Sequence, residues 1–285
     1  MMDDAYLLRG LDALSRAHET NYFTDGHRGA AIVAATLLCR EVPLEAGAEN
    51  PVRALIDGHW THTPLCAPVL DEAPEPDGIQ RIVDAIAAHL DGLRQAGHNL
   101  ILPALALKAF RQLPEAVTPT RVDGLCKLVE SFTLVDEIRL EESDEIPDWG
   151  APEDVAEFVL SEWVRCIEAF DGRGQGWSGH LLTYARALLD LREMGYDALA
   201  RQAEGGFNLY LKRIRLGPLE TDVPRPEHPQ SDLLPQQREY WAQRATKSVG
   251  IGHVFKYPYG FYGLMALARD ARLKEQCMQV AYHVL

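Results

Sequence analysis

The sequence lacks several features by which classes of protein are recognised. It contains no run of 18 residues free of charges and helix breakers, so we expect no membrane-spanning helix. Positive charge is scarce, with 28 Lys and Arg against 42 Asp and Glu and a formal net charge of -14. Because nucleic acids and anionic membranes are bound through positive fields, we predict neither of them as a partner.

Cysteine is scarce as well. The five cysteines are widely spaced and form no Cys-x-x-Cys pair, a pattern typical of reduced thiols. The N-terminal stretch MMDDAYLLRG has neither the basic nor the apolar region of a secretory signal, so we predict a cytoplasmic protein. The spacings of P-loops, dinucleotide-binding loops, zinc fingers, zinc proteases and serine hydrolases are also absent, which disfavours those chemistries.

Strand patterns are missing too, apart from a short EIRLE segment at 137–141. Apolar residues instead recur at helical spacing, as in Val83, Ile86, Leu90 and Leu93. About twelve such segments can be counted. We therefore predict an all-α fold that forms a single domain over residues 1–285. The proline-rich stretch 215–237 is too long for a plain connection, and we expect a lid there.

The dipeptide Gly-His occurs five times, where 22 glycines and ten histidines predict about one by chance. The histidines of these pairs are His27, His59, His98, His180 and His253. Their spacings of 32, 39, 82 and 73 residues suggest a step of about 38 residues, the size of a helical hairpin. Copies without histidine would then fall near residues 139 and 216. The pattern predicts an α/α toroid of about six helical hairpins.

In such a toroid the inner helices run parallel, so histidines at their starts meet at one mouth. We expect inner helices to begin near residues 28, 99, 181 and 254. Helices that pack about 8–10 Å apart bring several imidazoles within reach of one ion. A nitrogen-rich set of ligands suits a transition metal, with iron as the first choice and zinc or copper as alternatives.

The predicted metal ligands are therefore His27, His59, His98, His180 and His253. His62 competes with His59, because it lies three residues further on and can face the same way. A plainer interpretation stays open. Each histidine would then be a half-buried side chain with its own hydrogen bonds at the start of a helix.

Lys256 and Tyr257 are the predicted catalytic residues. Lys256 lies three residues after His253, on the same helical face. A lysine directed into a ring of helices is costly unless it is paired or uncharged. An uncharged lysine can act as a base or, after reaction with carbon dioxide, as a carbamate ligand. The alternative is that it reaches solvent. Tyr257 belongs to an aromatic group that can line a pocket for a planar substrate.

The stretch Gly252-His253-Val254-Phe255-Lys256, together with histidines at several helix starts, resembles the questin oxidase-like family. Members of that family oxidise aromatic polyketides. The resemblance implies that His253 and Lys256 are site residues and that His27, His98 and His180 contribute the other imidazoles. The chain is also similar, more broadly, to α/α-toroid enzymes such as terpenoid and lanthionine cyclases, although their aspartate-rich box and adjoining Cys-His ligands are absent.

Three functions remain open. The first is a metal-dependent, non-haem oxidoreductase that acts on an apolar or aromatic small molecule. The second is a hydrolase or lyase on an α/α barrel that works through paired carboxylates. The third is a non-catalytic helical-repeat binding protein. The carboxylate candidates for the second function are Glu19, Asp25, Asp136, Glu137, Glu141, Glu142 and Asp144.

Overall fold

The computed structural model describes residues 2–135, 138–222, 231–245 and 247–285, apart from the side chain of Gln175. These residues form twelve α-helices and no β-strand, which confirms the all-α prediction. The helices are α1 (Asp4–Arg16), α2 (Tyr22–Glu41), α3 (Glu49–Ile56), α4 (Gly78–Ala87), α5 (His98–Gln112), α6 (Pro119–Glu130), α7 (Pro152–Phe170), α8 (Gln175–Glu193), α9 (Asp197–Arg215), α10 (Arg238–Ala242), α11 (His253–Leu267) and α12 (Ala271–Val280). No helix in the described part of the chain is long and apolar enough to cross a bilayer.

Four helices form the centre of the molecule. Helix α2 packs against α5, α5 against α8, α8 against α11, and α11 against α2, so that the four close on one another. Each of them carries one Gly-His pair near its N-terminal end. Helix α5 shows why they are central, because every residue from His98 to Phe110 is buried. A helix that is apolar on all sides is stable only when neighbours surround it.

The outer helices reveal an internal repeat. Helix α1 packs against α2, α5 and α6, and α7 packs in the same way against α8, α11 and α12. The histidines follow this division, because His27 and His180 are 153 residues apart and His98 and His253 are 155 apart. The repeating unit visible in the packing is therefore about half of the chain.

The expected repeat of about 38 residues is not visible in the described residues. Residue 139 lies in an irregular segment, and Leu216 follows the end of α9, so neither position begins a helix. Residues 138–141 of the expected EIRLE strand are irregular as well, and Glu137 lies outside the described residues. The toroid of six hairpins stays a prediction, since the packing described above closes through four helices.

The inner helices begin in two different ways. Helices α5 and α11 begin at His98 and His253, within one residue of the expected positions. Helices α2 and α8 begin at Tyr22 and Gln175, each five residues before its histidine. The earlier start of α2 is stabilised by the side chain of Asn21, which accepts a hydrogen bond from the backbone of Thr24.

Candidate metal centre

The glycines of the Gly-His pairs allow the inner helices to approach closely. Gly97 and Gly252 have φ angles of +86° and +85°, a left-handed conformation that stops the preceding segment and turns the chain into the helix. A Cβ atom on Gly252 would lie 2.2 Å from Cβ of Ala31, in α2. Gly179 lies inside α8, and a Cβ atom there would lie 2.2 Å from the ring of Tyr257, in α11. Any larger residue would push these helices apart.

Four of the five histidines meet where the inner helices converge. Ring centroids are 4.4 Å apart for His27 and His98, and 4.5 Å apart for His98 and His180. His253 completes the group at 4.9 Å from His180 and 5.1 Å from His27. One ring nitrogen from each of His27, His98 and His180 lies within 4.8 Å of the other two. This buried group can hold a metal ion. We call the four residues the histidine cluster.

Backbone carbonyls set the orientation of three of these rings. In each ring Nδ1 faces a carbonyl oxygen three or four residues earlier in the chain. The pairs are His27 with Phe23, His98 with Gln95, and His180 with Gly176. A carbonyl oxygen only accepts hydrogen bonds, so we assign the proton to each Nδ1, which donates it. In a neutral ring this leaves Nε2 with a free lone pair, as a ligand requires.

The lone pairs of the cluster face one another. Nε2 of His98 lies 2.8 Å from Nε2 of His180, although in the neutral tautomers above both atoms are acceptors. Nε2 of His27 and Nε2 of His253 are also buried, and neither has a hydrogen-bond partner among the described residues. Buried acceptors that face each other are unfavourable unless a cation or a proton lies between them. The donor set therefore fits a metal ion.

Burial keeps the cluster uncharged at neutral pH. Desolvation lowers the pKa of all four histidines, and it lowers that of His180 to about 3. A positive charge on Lys256 would lower each of these pKa values further. The group identified as able to hold a metal contains no carboxylate. Its ligands are neutral imidazoles.

Lys256 and Tyr257 both border the histidine cluster. Lys256 is only 2% exposed, so its side chain does not reach solvent, and Nζ has no hydrogen-bond partner. Burial lowers the pKa of this amine well below its usual value. The ring of Tyr257 stacks on His253 at 4.6 Å, and its hydroxyl oxygen lies 3.4 Å from Nδ1 of His180.

Aromatic rings cover the side of the cluster formed by His27 and His98. The ring of Phe23 lies 4.4 Å from His27 and 5.1 Å from His98. Phe132 stacks on His98 at 6.0 Å. Neither phenylalanine was predicted from the sequence as part of the site. The contact of Phe23 could have been predicted, because Phe23 precedes His27 by four residues and therefore lies on the same helical face.

His59 and His62 lie away from the cluster. Both are exposed. His59 belongs to a short π-helical segment, Asp57–Thr61, and the centroid of its ring lies 6.4 Å from that of Trp60. The structure therefore brings together four of the five predicted ligands. Neither His59 nor His62 supplies a nitrogen to the group that can hold a metal.

The described carboxylate candidates lie in two separate places, away from the histidine cluster: Glu19 and Asp25 line one surface cavity, and Glu141 and Asp144 both pair with Lys212. Asp144 bonds to Lys212 at 2.8 Å, and Asp25 bonds to Arg28 at 3.0 Å. Glu19 is exposed, and so are Glu141 and Glu142. Asp136 and Glu137 lie outside the described residues.

Part of the expected lid lies close to the cluster. Asp222 accepts a hydrogen bond of 3.1 Å from Nε1 of Trp177, which precedes His180 by three residues. Arg213 stacks on the same indole, at 4.5 Å from its centroid. Residues 223–230 lie outside the described residues. The lid stays a prediction, and Asp222 fixes where one end of the segment lies.

A second buried polar group lies further along the same four helices, and the sequence analysis did not predict it. Nζ of Lys108 donates to Glu41 at 2.9 Å, to Asp190 at 2.7 Å and to the hydroxyl of Tyr259 at 2.8 Å. Arg186 forms an ion pair with Asp190 at 2.7 Å. We call these five residues the ion-pair cluster. Lys108 and Asp190 each lie ten residues after a cluster histidine, about 15 Å along their helices.

Comparisons with protein-family models, with curated proteins and with solved structures give no match for this chain. The resemblance to the questin oxidase-like family therefore stays a prediction that rests on the residues quoted for it.

Proposed function

We propose that this chain is a metal-dependent, non-haem oxidoreductase that acts on an apolar or aromatic small molecule. The observation that carries the proposal is the convergence of unprotonated Nε2 atoms in the histidine cluster, above all the 2.8 Å between His98 and His180. We infer that the inner helices belong to a small α/α toroid with the cluster at its mouth, and we expect the protein in the cytoplasm.

Each part of the site has a distinct role in this proposal. His27, His98 and His180 would hold the ion, and their Nδ1 hydrogen bonds to backbone carbonyls fix the ring orientations. Phe23 and Phe132 exclude water from one side. The more accessible side is formed by the half-buried His253, which we expect the substrate to approach.

The donor chemistry narrows the choice of ion. Imidazole nitrogen suits iron, copper and zinc, and hard cations such as magnesium prefer oxygen. Iron is our first choice, because a redox-active ion would supply electron transfer or oxygen activation. Zinc would act only as a Lewis acid.

Metal analysis of matched histidine variants tests the proposal. The metal-free protein is loaded anaerobically with Fe(II), Zn(II) or Cu(II), desalted and measured by inductively coupled plasma mass spectrometry. We expect one ion per wild-type chain and a loss in His98→Ala and His180→Ala. His89→Ala is the control, because His89 also directs Nδ1 at a carbonyl, that of Ala85 at 2.8 Å, but lies outside the cluster. Wild-type protein without a bound ion would overturn the proposal.

Oxygen consumption separates the oxidoreductase from the two other functions. Iron-loaded protein is mixed with a series of phenols and quinols, and oxygen uptake is followed with an electrode. We expect uptake that depends on both the ion and the substrate, and that is absent in His98→Ala. A bound ion without turnover of any substrate would favour a non-catalytic binding protein. Oxygen uptake that persists in the metal-free protein would count against a metal-dependent oxidation, and product formed without oxygen uptake or metal would favour the carboxylate hydrolase or lyase.

A further inference from the structure

Lys256 is the buried polar group that the proposed histidine ligation leaves unexplained. Its amine is buried in the inner ring, and Nζ donates to no acceptor in the part of the chain that the structure describes. Most buried polar groups are hydrogen-bonded, and an unpaired one destabilises the folded protein. Lys108, on helix α5 of the same ring, shows that the ring can provide acceptors for a lysine. The isolation of Lys256 points to a partner that is not part of the polypeptide.

The space beside Lys256 limits the size of that partner. A cavity of about 10 Å³ lies next to it, between the layer one helical turn below the histidines, where Ile101 and Thr183 lie, and the ion-pair cluster, three of whose residues also line it. That volume suffices for about one water-sized molecule. Several of the lining residues are apolar, including Ala104 and Leu105. An aromatic carbonyl compound that could form a Schiff base is far too large, whereas an uncharged triatomic molecule is close to the right size.

The charge of the site indicates what this small molecule must provide. The four imidazoles are neutral, and the group that can hold a metal contains no carboxylate. A divalent cation bound there would keep its full charge in a buried region, and an uncompensated buried charge costs several kcal/mol. The site lacks an anionic oxygen. Lys256 lies one turn after His253 on the same helix and lines the layer directly below the rings.

We propose that Lys256 is a modification site, where Nζ reacts with carbon dioxide and the resulting carbamate supplies the anionic oxygen that the histidine cluster lacks. In the reaction, the lone pair of the neutral amine forms an N–C bond. One C=O π bond becomes a carboxylate C–O⁻, and the nitrogen loses one proton to solvent. No oxidant or reductant is needed. The inference rests on the proposed function for the ion, and goes beyond it by identifying a ligand that the sequence does not encode directly.

Carbon-13 NMR of the whole protein tests this modification. Zinc is the probe ion because it is diamagnetic, and the loaded protein is equilibrated with ¹³C-bicarbonate at pH 8. We expect one slowly exchanging carbamate resonance in the wild type that is absent in Lys256→Met. Lys127→Met, which removes an exposed lysine, is the matched control and should keep the resonance.

Zinc affinity with and without bicarbonate provides the second measurement. Removing dissolved carbon dioxide should weaken zinc binding by the wild type on the order of 10–100-fold, the range for losing a supporting interaction at a metal site. Lys256→Met should show no dependence on bicarbonate. Wild-type protein that binds zinc without a carbamate resonance and without bicarbonate dependence would overturn the carbamate and leave the metal site standing. Failure of the wild type to bind zinc, iron or copper would overturn both. Both wild-type measurements decide the question even if Lys256→Met does not fold.

Discussion

The two buried polar groups on the inner helices differ in how completely their atoms are paired. In the ion-pair cluster, Lys108 has three acceptors and Asp190 also pairs with Arg186. In the histidine cluster, the inward nitrogens of His27 and His253 have no hydrogen-bond partner. The first group pairs its lysine and its carboxylates within the polypeptide and leaves only Nε of Arg186 without a partner among the described residues, so it reads as structural. The second is complete only when something is added, which is the property expected of a binding site.

The same contrast separates two lysines that are almost equally buried. Lys108 is 7% exposed and Lys256 is 2% exposed. Burying an ammonium group without a charged partner is costly. Only Lys108 has carboxylates beside it, from Glu41 and Asp190, that can offset this cost. Burial alone therefore does not identify a functional lysine, and the useful observation is burial without a partner.

The largest effect that we expect is loss of stability in mild acid. The four histidines have pKa values below 6.5 in the folded protein, so between pH 6.5 and about 3 the unfolded chain binds protons that the folded chain does not. The free energy of unfolding therefore has its full value above pH 6.5, and it falls as the pH is lowered below 6.5. Each histidine that stays uncharged contributes about 1.4 kcal/mol per pH unit, so the four together contribute about 5.5 kcal/mol per pH unit.

Urea unfolding of the metal-free protein at pH 7.5, 6.5 and 5.5 measures this slope. His180→Asn should reduce it by about one quarter, since one of the four uncharged imidazoles is removed. His89→Ala, outside the cluster, is the control. Stability that stays level from pH 6.5 to 5.5 would mean that the cluster takes up protons in the folded state, which contradicts its assignment as neutral.

The second effect compares the two lysines directly. Lys108→Met removes the ammonium that faces the buried Asp190, which leaves carboxylates with less compensation and should cost about 3–5 kcal/mol. Lys256→Met replaces an unpaired buried amine by an apolar side chain of similar length and should be neutral or stabilising in the metal-free protein. Urea unfolding at pH 7.5 checks both. Equal losses in the two variants would show that Lys256 has a partner after all.

The third effect concerns the glycines of the histidine end. Gly179→Ala places a Cβ atom 2.2 Å from the ring of Tyr257, so α8 and α11 must separate, at a cost of about 1–3 kcal/mol. The metal affinity should fall as well, because the same movement displaces His180, one of the three proposed ligands. Gly205→Ala is the control. It lies in α9 with no atom within 4 Å of the added Cβ and should gain up to about 1 kcal/mol from its higher helix propensity. Thermal unfolding and zinc titration measure the two consequences.

The sequence predicted the all-α fold and brought attention to four histidines that the structure brings together. It could do so because the two residues of each pair are needed at the same helix contact. At Gly179 and Gly252 the glycine permits a close helix contact, and the adjoining histidine fills the space at that contact. The Gly-His dipeptide therefore indicated a tertiary contact, which a single residue seldom does.

The rest depended on contacts between distant parts of the chain. The approximate hairpin spacing suggested six repeats, whereas the helix contacts of α1 and α7 suggest a repeat of about half of the chain. The ion-pair cluster joins Glu41, Lys108 and Asp190, and charged residues so far apart in sequence look like ordinary surface charges. Phe132 covers His98 from 34 residues further along the chain.

The smallest effect that we expect is that of the fifth Gly-His pair. His59 has the same sequence signal as His98, but it is exposed in the segment Asp57–Thr61, and a Cβ atom on Gly58 would meet no atom within 4 Å. The glycine here marks no close helix contact, so the histidine beside it has no converging neighbours. His59→Ala should leave metal content unchanged and alter stability by less than about 0.5 kcal/mol. His98→Ala should lose the ion. Metal analysis and urea unfolding of these two variants test which feature decides the histidines of the site. The two possibilities are close packing at the glycine and the dipeptide itself. Loss of the ion in His59→Ala would show that the dipeptide alone was the better guide.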